Sequence, residues 1–393
     1  MKSSVINSRW KEYIEGHLND DPFSLSLEST KERDTERLEA IRQIQARQKA
    51  LKKLPGFAYN FDLIFPPPVS VEQASSEWTA RFKSLLFSGK SCADLTGGMG
   101  IDAFYLSENF EKVDYVEQDR QLCEIARHNF DQLNKRNVSV TVGSTEDFLR
   151  SNKIYYDLIY LDPSRRGVGN KRLFKLEECL PNVVDLEDLL MKQAQRVLIK
   201  LSPLADLKHL FAQLAHLKNI WVVSVKNECK EILCELNDSD SNDKIHAISL
   251  EDGHTDSLSF DFKEEENTNV SYAYPDRFLY EPNSSLLKAG AFKTAANRYR
   301  VSKLHIHSHL YTSDKQIDFP GRTFRLIKWL QPDKKVLRRE IGSRKVNVIA
   351  RNFPLKPDEI IKKFNLTPGE DLYLIATTLM DQKRVIILCE RIK

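Results

Sequence analysis

The stretch Asp94-Leu95-Thr96-Gly97-Gly98-Met99-Gly100 decides the fold of this 393-residue chain. A short apolar run, predicted to be a strand, ends at Asp94, and a helix is predicted at 102–107. Glycines let a backbone turn tightly and approach a ligand closely, while the start of a helix offers N–H groups that lack partners. The stretch therefore predicts a nucleotide-like ligand at the carboxyl end of a parallel strand.

Short apolar runs and helical patterns alternate around this loop. Further strands are predicted at 113–116, 138–142, 158–161 and 197–201, with helical patterns between them. This spacing favours a parallel, doubly wound sheet. Helix-forming sequence at 36–54 and a stiff proline linker at 66–68 precede the core, and shorter strand- and helix-like runs follow it. The predicted class is α/β, a Rossmann-like doubly wound core with an N-terminal helical part and small α+β C-terminal domains.

The glycines by themselves fit two kinds of ligand. Gly98-x-Gly100-x-x-Ala103 matches the dinucleotide fingerprint and suits an adenosyl cofactor equally well. Two features favour the methyl donor S-adenosylmethionine. Asp94 attracts a cationic amino-acid group and repels a pyrophosphate, and the later Asp162-Pro163 pair is not needed by a dehydrogenase.

Side chains after the second and third strands complete the predicted cofactor site. Glu117 can accept both ribose hydroxyl hydrogens, although it can also cap the helix that follows. Ser144 or Asp147 is expected near the adenine, with helix capping as the alternative. The predicted cofactor-binding residues are Asp94, Thr96, Gly97, Gly98, Gly100, Glu117, Gln118, Ser144 and Asp147.

The fourth strand ends in Asp162-Pro163-Ser164-Arg165-Arg166, which predicts the reacting centre. Methyl transfer requires a nucleophile held in line and an acceptor for its proton. Asp162 can accept a hydrogen bond from an exocyclic amine, and the carbonyl of Pro163 is a second acceptor. Arginines suit phosphate, although they can also pair with carboxylates. Lys200 lies at the C-terminal end of the fifth strand and is expected to contact substrate or to bridge to Asp162. The predicted catalytic residues are Asp162, Pro163, Ser164, Arg165 and Lys200.

Charge is distributed unevenly along the chain. From 288 to 393 there are 23 Lys and Arg against 10 Asp and Glu, so the remainder, with 36 basic and 46 acidic residues, is acidic. A basic C-terminal region indicates a polyanionic partner or a solvated surface. Trp329 and Phe353 lie near a basic cluster in this region, as expected of a nucleic-acid surface. The predicted substrate-binding residues are Arg166, Arg338, Arg339, Arg344, Lys345 and Arg351.

Together these segments resemble bacterial class I S-adenosylmethionine-dependent methyltransferases with a C-terminal THUMP-like domain. The resemblance rests on QASSE (73–77), DLTGGMGIDA (94–103), LDPSRR (161–166), KLSP (200–203), NECKE (227–231), LYEPN (279–283), KAG (288–290) and RNFPL (351–355). It implies a helical region at 1–70, a methyltransferase domain at 71–268, a ferredoxin-like domain at 269–316 and a THUMP-like domain at 317–393. Since THUMP domains bind RNA, it also implies an RNA substrate. Ser164 and Arg165 depart from the D/N-P-P-Y/F motif of amino-methylating relatives, which puts the methylated atom in question.

The predicted function is methylation of RNA on a base nitrogen or an exocyclic amine. The alternatives are a non-catalytic RNA-binding protein with this fold, a methyltransferase acting on another substrate, and a nicotinamide dehydrogenase. Six cysteines without a C-x-x-C pair indicate a reducing, cytoplasmic compartment and no zinc site. His305, His307 and His309 are predicted to share one face of a strand, in nucleic-acid contact rather than as metal ligands. No membrane segment is expected.

Overall fold

The structure, a computed structural model, describes residues 8–29, 35–165, 175–370 and 372–392. The chain forms two compact units. The first comprises Met1–Lys218 with Glu231–Ser241, and the second comprises Asn219–Lys230 with Asn242–Lys393. The first unit contains the glycine-rich loop, and the second contains the basic region 288–393.

Helices and strands alternate through most of the described chain. The helices are α1 (Ser8–Gly16), α2 (Pro22–Ser29), α3 (Thr35–Ala50), α4 (Pro55–Ala58), α5 (Pro68–Gln73), α6 (Glu77–Leu86), α7 (Ile101–Leu106), α8 (Arg120–Gln132), α9 (Thr145–Ser151), α10 (Val183–Gln193), α11 (Leu207–Gln213), α12 (Phe262–Asn267), α13 (Ser284–Ala289), α14 (Lys293–Tyr299), α15 (Lys334–Ile341) and α16 (Pro357–Phe364). The strands are β1 (Gly89–Asp94), β2 (Phe110–Glu117), β3 (Val138–Val142), β4 (Leu158–Leu161), β5 (Ser164–Arg165), β6 (Cys179–Leu180), β7 (Val197–Leu201), β8 (Leu217–Val225), β9 (Glu228–Leu236), β10 (Lys244–Glu251), β11 (His254–Phe260), β12 (Phe278–Pro282), β13 (Ser302–Lys303), β14 (Tyr311–Ser313), β15 (Gly321–Leu330), β16 (Val346–Arg351), β17 (Leu372–Thr378) and β18 (Arg384–Arg391).

The first unit is built on a sheet in the order β3-β2-β1-β4-β7-β9. All neighbouring pairs in it are parallel except β7 with β9. The chain moves outward from β1 through β2 to β3 and then returns to the other side of β1 with β4. The sheet therefore has a topological switch point between β1 and β4, where α/β proteins bind ligands. This arrangement confirms the predicted Rossmann-like core.

A buried arginine of α3 holds together the N-terminal region that precedes α5. Arg47 is fully buried and donates hydrogen bonds to the carbonyl oxygens of Ala58, Asn60 and Leu63. Phe65, just before the prolines, exchanges hydrogen bonds with the Gln43 side chain and is buried. The proline stretch was predicted to be a stiff linker, and that was wrong: Pro66 is buried and Pro68 begins α5. Backbone amides that must be satisfied in a buried segment explain this close packing.

The second unit contains two groups of strands. β8 pairs in parallel with β10, and β10 forms an antiparallel hairpin with β11. The other group is a seven-stranded sheet in the order β13-β14-β12-β15-β18-β17-β16. Side chains alternate between the two faces of that sheet because successive residues of a strand point to opposite sides. The small α+β C-terminal part that the sequence predicted is thus present.

Each face of the seven-stranded sheet has its own apolar core. One face packs Leu374, Ala376 and Ile386 against α15 and α16. The opposite face packs Leu279, Phe324 and Ile349 against Leu304 and Leu310. The segment between those two leucines is a turn, so the strand predicted for His305, His307 and His309 was wrong. Among the described residues, no helix has both the length and the apolar character needed to cross a membrane.

Candidate active site

The glycine-rich loop lies where β1 ends, and all three of its glycines are required by geometry. A Cβ on Gly97 would fall 2.2 Å from the Tyr115 ring, so any side chain there would displace the loop from β2. Gly98 has φ +53° and Gly100 has φ +83°, which L-residues rarely adopt. The Tyr115 hydroxyl donates to the Gly98 carbonyl at 2.6 Å. The loop is therefore held close to β2.

Two carboxylates flank the loop. Glu117 ends β2 and accepts the Gly98 N–H at 3.0 Å and the Asp119 N–H at 2.9 Å, each on a different oxygen. Asp94 is 1% exposed and accepts the Thr96 N–H at 3.1 Å. Burial raises the pKa of Asp94 well above its usual value, and the nearby carboxylates of Asp102, Asp162 and Glu117 act in the same direction. A cation placed here would offset that cost.

Asp162 and Lys200 form an ion pair on the other side of the switch point. The Lys200 ammonium contacts Asp162 Oδ2. The Asp162 backbone N–H donates to Thr96 Oγ1 at 2.6 Å, which joins the end of β4 to the glycine loop. Burial lowers the pKa of Lys200, but the attraction of Asp162, Asp102 and Glu231 outweighs it and raises the pKa above its ordinary value. Lys200 is consequently a fixed positive charge rather than a base.

A buried charge network lies behind this pair, and sequence reasoning missed it. Lys83 of α6 is 1% exposed and lies 3.1 Å from Asp102 and 3.0 Å from both oxygens of Glu231. Ser75 accepts from Lys83 at 3.0 Å and donates to Asp102 at 2.7 Å. The Tyr160 hydroxyl donates to Asp102 at 3.1 Å. Three of the resembling segments, at 73–77, 94–103 and 227–231, supply Ser75, Asp102 and Glu231, which was the signal available in the sequence.

The remaining predicted residues of the first unit have the following positions. Ser144 caps α9: its hydroxyl accepts the Asp147 N–H at 3.1 Å and donates to the Asp147 carboxylate at 2.8 Å, the arrangement weighed as the alternative to adenine contact. Gln118 is exposed beside Glu117, Pro163 is buried, and Ser164 is exposed. Ser164 and Arg165 pair with Leu180 and Cys179 in the β5–β6 hairpin. Arg166 lies outside the described residues.

The predicted basic surface of the second unit divides between the two faces of the sheet. Arg338 and Arg339 are exposed on α15, and Arg339 pairs with Glu340 at 3.2 Å. Arg344 and Lys345 are exposed in the loop before β16. Arg351 comes two residues after Ile349 and therefore shares its face of the sheet, which is opposite to the face that α15 covers. There it pairs with Glu281. The tertiary structure thus does not unite Arg351 with the α15 arginines.

The site in the first unit has two halves that suit one reaction. A glycine loop and two acceptor carboxylates form the nucleotide-binding half, and an oriented Asp162–Lys200 pair forms the other. Both are at the carboxyl ends of parallel strands across the switch point. These features are those of an α/β protein whose glycine-rich loop lies next to a polar pair at the switch point. Across the described residues, no group of three or more His, Cys, Asp or Glu is arranged to hold a metal ion.

The comparisons place the chain more narrowly. A solved structure from Porphyromonas gingivalis W83, provisionally described as a methyltransferase, is 31% identical, with 98% of each chain covered and a TM-score of 0.89. Family models match for conserved hypothetical protein 95 at 66–180, a ferredoxin-like domain at 278–320 and a THUMP domain-like segment at 321–391. The chain therefore belongs to the family of class I methyltransferases with a C-terminal THUMP-like domain.

Other solved structures overlap only part of the chain. A conserved hypothetical protein from Streptococcus pyogenes is 18% identical, with 39% of this chain and 88% of that chain covered and a TM-score of 0.30. An rRNA methylase from Streptococcus thermophilus is 13% identical, with 40% and 93% covered and the same TM-score. We infer nothing from these partial overlaps. A search of curated proteins gives no match.

Proposed function

We propose that this protein transfers a methyl group from S-adenosylmethionine to RNA. The observation that carries the proposal is the position of the Asp162–Lys200 pair, which Thr96 joins directly to the glycine loop. A nucleotide-binding loop and a proton-accepting side chain are thereby fixed relative to each other. Methyl transfer needs these two groups in fixed positions, because positioning of a nucleophile supplies most of the catalysis.

The residues of the loop fit the proposed cofactor. A Cβ on Gly98 would meet nothing closer than a backbone oxygen at 3.8 Å, so there is open space above the loop. Each Glu117 oxygen accepts one backbone N–H, and a carboxylate oxygen has a further lone pair for a ribose hydroxyl. The buried carboxyl of Asp94 would be stabilised by the cationic methionine group. When bound, the cofactor supplies an electrophilic methyl group. Gln118, Ser144 and Asp147 remain proposed contacts.

At the reacting centre, Asp162 would bind the nucleophile. Lys200 contacts Oδ2, and Oδ1, which has no partner among the described residues, would accept an N–H of an exocyclic amine or a base nitrogen. That acceptor would hold the nitrogen with its lone pair free and take up its proton. Pro163 is buried just before β5, and Ser164, Arg165 and Arg166 are proposed to contact the substrate.

RNA as the substrate is supported by the second unit. The THUMP-like match covers 321–391, and the region from 288 onward carries the excess of basic residues. Exposed Arg338 and Arg339, with Arg344 and Lys345 nearby, suit phosphate contacts. We keep the four-part organisation, 1–70, 71–268, 269–316 and 317–393, as part of this proposal, together with a cytoplasmic location.

Asp162→Asn tests the proposal, with Asp252→Asn as the matched control because Asp252 is an exposed carboxylate of the second unit. Purified protein is incubated with methyl-labelled cofactor and total RNA from a strain lacking the protein. We expect label in RNA from the wild type and the control, and about 100-fold less from Asp162→Asn, the range for loss of a proton acceptor.

Two outcomes would contradict different parts of the proposal. Label that enters protein or small molecules but never RNA rejects the RNA substrate. Calorimetry that shows no binding of the methyl donor, but binding of a nicotinamide dinucleotide, rejects the methyltransferase assignment. RNA binding without any transfer would favour the non-catalytic alternative.

A further inference from the structure

Three strands of the second unit each carry a charged residue two positions away from a residue of the same apolar core. Leu279, Phe324 and Ile349 belong to one face of the seven-stranded sheet. Residues two positions along a strand share a face, so Glu281, Arg322 and Arg351 are on that face too. Glu281 and Arg322 are direct partners in the β12–β15 register. The fold therefore brings the three charges together at the edge of the core.

Glu281 lies between the two guanidinium groups. Its Oε2 accepts from Arg322 Nε at 2.6 Å, and a second nitrogen of Arg322 contacts the same oxygen. Its Oε1 accepts from Arg351 Nε at 2.9 Å and lies 2.8 Å from another nitrogen of Arg351. The carboxylate side chain is 2% exposed, whereas those of Arg322 and Arg351 are 27% and 40% exposed. Each arginine is thus oriented from inside and accessible from outside.

The charge of this group is not balanced. One guanidinium would neutralise Glu281, and the second leaves an excess of one positive charge. Lys303 adds a buried ammonium to the same region. His309, stacked on Phe292, has its pKa lowered to about 4 by burial, and Lys303, His307 and Arg351 act in the same direction. Glu265 acts on Lys303 in the opposite sense and raises its pKa, so the uncompensated charge is that of the two partly exposed arginines, which an anion can balance from solvent.

The guanidinium groups also keep the donors that an anion needs. An arginine has five N–H donors in a planar fork, and only one edge of each fork is used by Glu281. Planar forks recognise phosphate with paired hydrogen bonds. We propose that Arg322 and Arg351, oriented by Glu281, form a phosphate-binding site, and that a backbone phosphate of RNA occupies it. The choice of RNA rests on the proposed function, whereas the phosphate chemistry does not.

The test measures binding of a fluorescent single-stranded RNA to the full chain by anisotropy, at several salt concentrations and without methyl donor. Arg322→Gln and Arg351→Gln remove one charge each. We expect each to weaken binding about tenfold and to reduce the slope of log K against log salt by about one. Arg325→Gln is the matched control, since Arg325 is an exposed arginine of β15 that pairs with Glu390. It should change the affinity less than threefold.

Glu281→Gln separates an oriented site from simple attraction. Removing a negative charge should tighten RNA binding if only net charge matters. We expect weaker binding instead, because the arginines lose the carboxylate that orients them. If Glu281→Gln does not fold, Arg322→Lys replaces it, since lysine keeps the charge without the fork and should still bind several-fold more weakly.

Inorganic phosphate distinguishes this proposal from the RNA assignment. If the wild type binds no RNA but phosphate raises its Tm, and Arg322→Gln abolishes that rise, then the site is real and the RNA substrate is wrong. If both glutamine variants fold, bind RNA as the wild type does and respond equally to phosphate, the site is rejected and the cluster is only structural.

Discussion

The two units of this protein each contain three charged residues in close contact, with the signs reversed. In the first unit one cation, Lys83, lies between Asp102 and Glu231, and all three are buried. In the second unit one carboxylate, Glu281, lies between Arg322 and Arg351, which are partly exposed. The first cluster is closed to any ligand, whereas the second presents its cations to solvent.

The difference shows how burial decides what a charge cluster does. In the first unit the three charged groups contact one another and other protein groups in the interior, so the cluster can only position its surroundings, among them Lys200. In the second unit the buried residue orients the exposed ones, which retain donors for a partner. Desolvated charges are costly when they lose a partner, and exposed charges are not. The two clusters should therefore respond differently to substitution.

The largest expected effect is on the closed cluster. Lys83→Met leaves two buried carboxylates without their cation, and we expect a loss of roughly 3–5 kcal/mol in the free energy of unfolding, measured with urea. Lys90→Met, at an exposed position on β1, is the control and should stay within about 0.5 kcal/mol of wild type.

The pH dependence of the Lys83→Met deficit gives a second readout. In the wild type, burial raises the pKa of Asp102, but Lys83 and Lys200 outweigh it and lower the pKa below the usual value. Without Lys83, burial dominates and the folded-state pKa of Asp102 rises, so the variant binds protons as it folds. The deficit should then shrink as the pH falls from 7 to 5. A constant deficit would mean that lost packing, not charge, is responsible.

The next largest effect compares two glycines of the first unit, Gly97 in crowded surroundings and Gly143 in open ones. In Gly97→Ala the Cβ would lie 2.2 Å from the Tyr115 ring, so the loop must shift. We expect a loss of about 1–3 kcal/mol in stability, as for an overpacked core, together with loss of methyl-donor binding in calorimetry. Gly143→Ala is the control, because nothing lies within 4 Å of a Cβ there. Equal stability of the two variants would contradict the close approach.

The smallest expected effect concerns a buried lysine of the second unit, Lys303. Burial lowers the pKa of Lys303 to about 8, below the ordinary 10.5 of the unfolded chain. Between these values the unfolded state binds more protons, so this residue makes stability rise with pH. Lys303→Met should remove that rise in Tm measurements from pH 8 to 10.5. The exposed Lys383, whose pKa Asp381 raises, should contribute nothing of that sign when replaced by Met.

Local pattern was sufficient for much of the fold and for the cofactor half of the site. The predicted strands at 138–142, 158–161 and 197–201 coincide with β3, β4 and β7, because short apolar runs between turn residues have few alternatives. The helix α15 was missed, since its Arg- and Lys-rich sequence contains only a few apolar residues. The histidine strand was wrong because tertiary packing of Leu304 and Leu310 holds that segment as a turn.

By itself, the sequence determined the glycine loop, its flanking Asp94 and Glu117, and the order of strands that brings Asp162 to the same edge. These features follow from residue type and spacing along the chain. Only the tertiary structure decided that Lys83, Asp102 and Glu231 meet, since they come from α6, α7 and β9. It also decided that Arg351 faces away from α15 and toward Glu281. The reason is physical: alternation along a strand fixes which residues share a face, but strand pairing decides which faces adjoin.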